Sequence, residues 1–277
     1  MPAGEFSLRF WGVRGSIATC APDICGFGGE TICMEVTCGD RTLVFDAGSG
    51  VRRLGKDLLA RDIELVDLFI SHFHYDHVEG LPFFAPMYRE GARVRIHSGH
   101  GAPPGGTRSL IEGFIGPPYF PICPELFRAE WSCANIALGE VHDIGDDISL
   151  ETFALNHPGG ATGYRITYAE KSIAIVTDNE HVIGQTDDAL GRFISGADLV
   201  IYDAMYTDAE LPTYVGFGHS TWQEGARLAT AFNADQLALI HHSPHRLDTE
   251  LENMDADLAA KRPNSFFARQ GQRIVLA

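Results

Sequence analysis

The run SHFHYDHVEG, Ser71 to Gly80, restricts this chain more than any other feature, because it sets three histidines and one aspartate within six consecutive positions. It follows LVDLFI, Leu65 to Ile70, a short apolar, β-branched and aromatic stretch that predicts a buried strand, and it precedes the helix-like VEGLPFFAPMYR. The polar cluster therefore belongs at a strand end. In an extended exit, side chains two apart project to the same side, so His72 and His74 are expected to converge on one point. Asp76 and His77 fall where the chain turns into the helix, and project toward a second point beside the first. Imidazole and carboxylate are the donors that zinc, manganese or iron accept. With only 12 histidines in 277 residues, three at this spacing point to metal binding rather than to a loop rich in histidine by chance.

A chain of this length buries roughly three quarters of its surface and needs no staples. The amino terminus, MPAGEFSLRFWGVRGS, holds no apolar run suited to a secretory signal, and no later stretch approaches a membrane span, so a cytosolic protein with no membrane partner is expected. Cys20, Cys25, Cys33, Cys38, Cys123 and Cys133 form no CxxC pair and are expected to stay reduced. The formal charge of −16, with no Lys/Arg-rich stripe, argues against a long nucleic acid as partner.

No linker or low-complexity block divides the sequence, so one domain over residues 1–277 is expected. Early strand patterns (SLRFWG, TICMEVTC, RTLVFDA) join by turns. Later ones (ISLETFAL, SIAIVTD, DLVIYDA, QLALIH) alternate with helical stretches such as TWQEGARLATAFN and TELENMDADLAAKR. That order predicts an α/β protein of stacked sheets flanked by helices. Residues 101–133, rich in Gly, Pro and aromatics, read as an insertion serving as lid, binding loop or packing. Its aromatic patch, Phe114 with Tyr119 and Phe120, suits a nucleobase or a second copy of the chain in a homodimer.

Further donors stand where other apolar strands stop: His157 in LNHPGG, Asp178 in VTDNE, and His241 and His242 in LIHHSP. With these in view, SHFHYDHVEGL resembles the HxHxDH signature of the metallo-β-lactamase superfamily. The later pieces are similar to its ribonuclease Z and phosphoribosyl cyclic phosphodiesterase branch. His157 followed by GYRI resembles that branch's third metal motif, and Gly218 to Ser243 resembles its GHST segment, helix and final histidine strand.

The resemblance implies a four-layer αββα sandwich. It implies that His72, His74 and His157 hold one divalent ion, that Asp76, His77 and His241 hold another, and that Asp178 bridges them, with zinc foremost and manganese or iron also accepted. Such a pair shares a hydroxide that attacks a phosphodiester. Asp76 is counted with the catalytic residues as well as the ligands, and His219 of GHST is the expected general acid. Asp46, in VFDAGSG, is expected either to support a ligand imidazole or to cap the helix near Val51. Arg14, in WGVRGS, is expected either to clamp phosphate or to form a structural ion pair.

Residues 101–133 hold Arg108 and Arg128 against Glu112, Glu125 and Glu130, unlike the basic arm of ribonucleases Z that process transfer RNA, and Tyr75 replaces the small residue usual in the signature. Both departures favour a small phosphodiester, such as a cyclic nucleotide, as substrate. A lactonase or other small-ester hydrolase is the alternative, and a non-catalytic metal-binding protein the third reading.

Overall fold

The strand-forming runs assemble into two seven-stranded sheets in the computed structural model, which describes residues 4–100 and 104–277. The strands of the first sheet are β1 (Phe6–Gly12), β2 (Cys33–Cys38), β3 (Arg41–Phe45), β4 (Leu65–Ile70), β5 (Arg93–Ser98) and β6 (Glu130–Asn135). Those of the second are β7 (Val141–Asp143), β8 (Ser149–Leu155), β9 (Ala161–Tyr168), β10 (Lys171–Val176), β11 (Leu199–Asp203), β12 (Gln236–Ile240) and β13 (Ser265–Phe267). The last strand, β14 (Arg273–Val275), returns to the first sheet, giving the orders β14-β1-β2-β3-β4-β5-β6 and β13-β12-β11-β10-β9-β8-β7. The helices are α1 (Val51–Ala60), α2 (Tyr75–Val78), α3 (Gly106–Phe114), α4 (Asp188–Ile194), α5 (Trp222–Ala231) and α6 (Asp248–Lys261).

Three apolar clusters define four layers. Phe6, Leu8, Phe10, Val36, Phe45, Phe69, Tyr164, Ile166, Ile201 and Ile240 meet between the sheets. Leu54 and Leu58 of α1 and Ile111 of α3 pack on the outer face of the first sheet, and Leu190, Leu228, Leu251 and Leu258 of α4, α5 and α6 on that of the second. This is the expected αββα order. Each strand that faces a sheet on one side and helices on the other is buried on both, so β4, β10, β11 and β12 read as continuous apolar runs rather than alternating ones.

Within each sheet, one side is antiparallel and the other parallel: β3, β4, β5 and β6 run parallel, as do β10, β11, β12 and β13. Parallel strands end along one edge, and the sites of open α/β sheets gather there.

Three differences from the sequence reading have local causes. The helix expected over VEGLPFFAPMYR is only α2 followed by two single 3₁₀ turns, because Pro82 and Pro86 each remove an amide donor. The segment read as an insertion holds a helix, α3, and then β6, which pairs in parallel with β5 and extends the sheet by one strand. Its residues 101–103 lie outside the described residues. The strands β6, β7 and β13 escaped notice because two have only three residues and EWSCAN is a mostly exposed edge strand whose alternation spans only four residues. No helix among the described residues is long and apolar enough to cross a membrane. All six cysteines are free thiols.

Candidate metal centre and active site

The exit of β4 carries Ser71 and the histidine run, and the neighbouring exit of β3 carries Asp46. Asp46 accepts the Ser71 amide at 2.7 Å and the Ser71 hydroxyl at 2.8 Å, while its Oδ2 lies 2.9 Å from His77 Nδ1. A fully buried imidazole is thereby fixed with Nδ1 on the carboxylate and Nε2 pointing inward, the usual support for a metal-binding histidine. The helix-cap alternative for Asp46 fails, since Gly50 precedes α1 and no side chain caps it.

The second sheet answers from its own strand ends. Asp178 follows β10, Asp203 ends β11, His241 follows β12, and His157 follows β8. Asp178 lies at the centre: His77 Nε2 is 3.1 Å from its Oδ2, while His241 Nε2, His157 Nε2 and His72 Nε2 are 3.3, 3.8 and 3.9 Å from its Oδ1. His157 Nε2 is 3.0 Å from His74 Nδ1, and His241 Nε2 is 3.1 Å from Asp76 Oδ2. Asp46, Asp178 and His241 all hold a positive φ, of 60°, 54° and 60°. Each such turn costs about 1–3 kcal/mol, and strain of this kind clusters where side chains must be aimed rather than packed.

Two observations test whether a cation fits. The Nε2 atoms of His72 and His77 are buried without a hydrogen-bond partner, although carboxylate oxygens stand close by. Donor sets of His72, His74 and His157, and of Asp76, His77 and His241, each fall within 4.8 Å of one another. Nitrogen lone pairs aimed at a shared point beside carboxylates suit a divalent ion.

The electrostatics agree. Burial and the neighbouring His77 press His72 well below the usual histidine range, so it is a neutral donor. Burial opposes charge on His77 too, but Asp178, Asp76 and Asp46 outweigh it and hold His77 well above that range. In the same way His241, despite burial, is raised to about 9 by Asp178 and Asp76. These carboxylates attract a cation, and a metal ion would take the place of those protons.

His219 enters from the loop before α5. Its Nδ1 is 2.8 Å from Asp203 Oδ2, and its ring stacks on His241 with centroids 4.6 Å apart. Asp203 is fully buried and also accepts the Met205 amide at 3.0 Å. Thr221 then caps α5 by accepting the Glu224 amide at 3.1 Å, so the helix starts directly after the GHS turn. The donors open into a cleft of 520 Å³ lined by Ser16, Phe73, His74, Tyr75, Asp76, Asp178 and His219. Ser16 donates its amide to Asp76 at 2.6 Å.

Residues 41–242 match the beta-lactamase superfamily domain. The chain belongs to the beta-lactamase superfamily. Within that superfamily it is similar to ribonucleases Z: Ribonuclease Z of Bradyrhizobium sp. (strain ORS 278) is 26% identical, with 89% of this chain and 92% of that protein covered. Among solved structures, the metallo-beta-lactamase fold protein YhfI of Bacillus subtilis superposes with a TM-score of 0.76 at 16% identity, covering 99% of this chain and 100% of that one. A diphosphatase of the PhnP family gives 0.72 at 17% identity, with 98% of each chain covered. The chain is a hydrolase of this superfamily.

These relatives correct one expectation. Net charge was read as excluding a long nucleic acid, yet the curated relative is a ribonuclease, so that exclusion is withdrawn. Overall charge is an average over the surface and says little about one cleft.

The structure brings His72, His74, Asp76, His77, His157, Asp178 and His241 together, with His219 beside them. It does not bring Arg14. That guanidinium is fully buried and donates to the carbonyls of Gly28, Ser243, Arg246 and Ile24, while its Nη2 stands 3.9 Å from Asp248 Oδ1; it pins loops and forms the structural ion pair, away from the cleft. His242 turns the other way and reaches the Ala268 carbonyl at 2.9 Å. Tyr119 is exposed and Phe120 packs edge-on to Phe83 at 5.5 Å, so neither lines the cleft. Sequence reasoning missed Asp203, Ser16 and Ser71. Asp203 had a usable signal, since it ends the apolar run LVIYD as Asp178 ends another.

Proposed function

We propose that the chain is a dinuclear, metal-dependent phosphodiesterase. The observation that carries this reading is the Asp203–His219 pair set against the seven-donor cluster across one cleft. Two divalent ions, zinc foremost, would be held by His72, His74 and His157 and by Asp76, His77 and His241, with Asp178 between them. When bound, such ions offset phosphoryl charge and make water nucleophilic near neutral pH.

The chain's own residues supply the rest. Asp203 accepts the Nδ1 proton of His219 and fixes the orientation of the ring, as a buried carboxylate does for a catalytic histidine. His219 then gives the proton on Nε2 to the departing oxygen. Asp76, held by the Ser16 amide, keeps one oxygen toward His241. Tyr75, 71% exposed on the cleft wall, offers its face to a nucleobase. A cleft of 520 Å³ accommodates a cyclic nucleotide, or one scissile position of a longer chain.

The test is hydrolysis of bis(p-nitrophenyl) phosphate, 2′,3′- and 3′,5′-cyclic nucleotides, a 3′-extended RNA and an acyl-lactone, with protein reloaded separately with zinc and manganese. Metal-dependent turnover of a phosphodiester beside an inert lactone is expected. Opening of the lactone alone would overturn the proposal and leave a small-ester hydrolase.

A further inference from the structure

One carboxylate near the cleft has no part in the chemistry above. Glu180 stands two residues after Asp178, and it accepts the Gly216 amide at 2.9 and 2.8 Å and the Gly218 amide at 2.7 Å. Both glycines hold a positive φ, 90° and 87°, which lets their amides point toward one carboxylate. The next residue, His181, places Nδ1 2.7 Å from the Ser220 hydroxyl. From the opposite side, the Nδ1 proton of His157 is donated to the Gly218 carbonyl at 2.8 Å, and a Cβ on Gly218 would fall 2.3 Å from that nitrogen. The turn that carries His219 is thus gripped by the two segments that carry Asp178 and His157. Glu180 supplies three of those contacts, all to a charged acceptor, the stronger class of hydrogen bond.

We propose that Glu180 is a positioning residue that holds the Gly216–Ser220 turn so that His219 stays on Asp203 and faces the leaving oxygen. The inference rests on the general-acid reading of His219. Without the carboxylate, two glycines with wide conformational freedom lose their anchor and the ring leaves its register. A misplacement of about 1 Å costs up to roughly 10²-fold in rate.

Glu180→Ala and Glu180→Gln should be measured on a 2′,3′-cyclic nucleotide, whose alkoxide must be protonated to leave, and on bis(p-nitrophenyl) phosphate, whose leaving group needs no acid. For Glu180→Ala, kcat on the cyclic nucleotide is expected to fall roughly tenfold to hundredfold. Glu180→Gln, which keeps one acceptor oxygen, is expected to lose less. Turnover of the activated diester, metal content and melting temperature should stay at the parent values. A ¹⁵N NMR readout holds whichever diester is turned over: the hydrogen-bonded Nδ1–H signal of His219 should broaden or vanish in Glu180→Ala. An unchanged signal, an equal loss on both substrates, or loss of metal overturns the proposal. His219→Ala is the control. If it shows no difference between the two diesters, the general-acid reading falls and this inference with it; if it does while Glu180→Ala does not, only the inference falls.

Discussion

The first sheet and the second sheet border the same cleft but furnish it in opposite ways. The first gives His72, His74, Asp76 and His77 from one continuous turn after β4, braced by the single carboxylate of Asp46. The second gives one residue from each of several strand ends: His157, Asp178, Asp203 and His241, with His219 added from a loop. A contiguous motif is placed by local backbone geometry, and its spacing survives small movements of the sheet. A dispersed set is placed only by the register of paired strands, parallel for Asp178, Asp203 and His241 and antiparallel for His157, so it exists when the fold exists. The division of chemistry follows the same line, because the general-acid pair lies wholly on the dispersed side.

Asp178 is where the two modes meet, and its replacement should have the largest effect. It touches ligands of both sheets, and Asp178→Ala leaves inward-facing imidazoles around an empty centre. Turnover should fall to background together with metal content, read by elemental analysis of the dialysed protein. Two retained ions with measurable turnover would break the comparison, since the halves would then hold metal independently. Next in size is His219→Ala, which removes the acid but no ligand. A loss of roughly 10²–10⁴-fold on an unactivated diester is expected, at full metal content. Loss of metal in this variant would make His219 a ligand and erase the chemical division between the sheets. Third is Asp46→Ala, which removes the brace of the contiguous motif. Metal affinity should weaken about 10–100-fold, measured by chelator competition, with the fold retained. An unchanged affinity would mean that the turn after β4 holds its histidines without support.

The same division explains what was legible in the sequence. His72, His74 and His77 announce themselves because their spacing is local. His157, Asp178 and His241 could be found only because apolar strands end at them and a family pattern orders them. Asp203 obeys the first of those rules but was passed over, because a lone aspartate after a strand is also an ordinary turn residue. The sheets themselves were readable as buried runs, whereas β6, β7 and β13 form by pairing with neighbours rather than by their own pattern. Arg14 shows the limit most directly. An arginine between glycines looks the same in sequence whether it faces a phosphate or four backbone carbonyls, and only the return of residues 243–246 to its side decides which.

Tyr75 sharpens the comparison at its smallest scale. It lies inside the contiguous motif, between His74 and Asp76, yet it is 71% exposed while Asp76 and His77 are buried. The backbone that turns its neighbours toward the metal turns its ring onto the cleft wall, 6.3 Å from Phe114. A residue in that position cannot be needed for the centre itself, so Tyr75→Gly should leave metal content and kcat near the parent values. What it should change is the hold on a base: KM for a cyclic nucleotide is expected to rise about fivefold, the lower end of aromatic stacking at an exposed site. A ribose cyclic phosphate lacking a base supplies the contrast, and its KM should not move. Equal changes for both diesters would make Tyr75 a support of the motif rather than a contact to substrate. The contiguous run would then be structural throughout, and recognition of the base would have to come from elsewhere on the cleft wall.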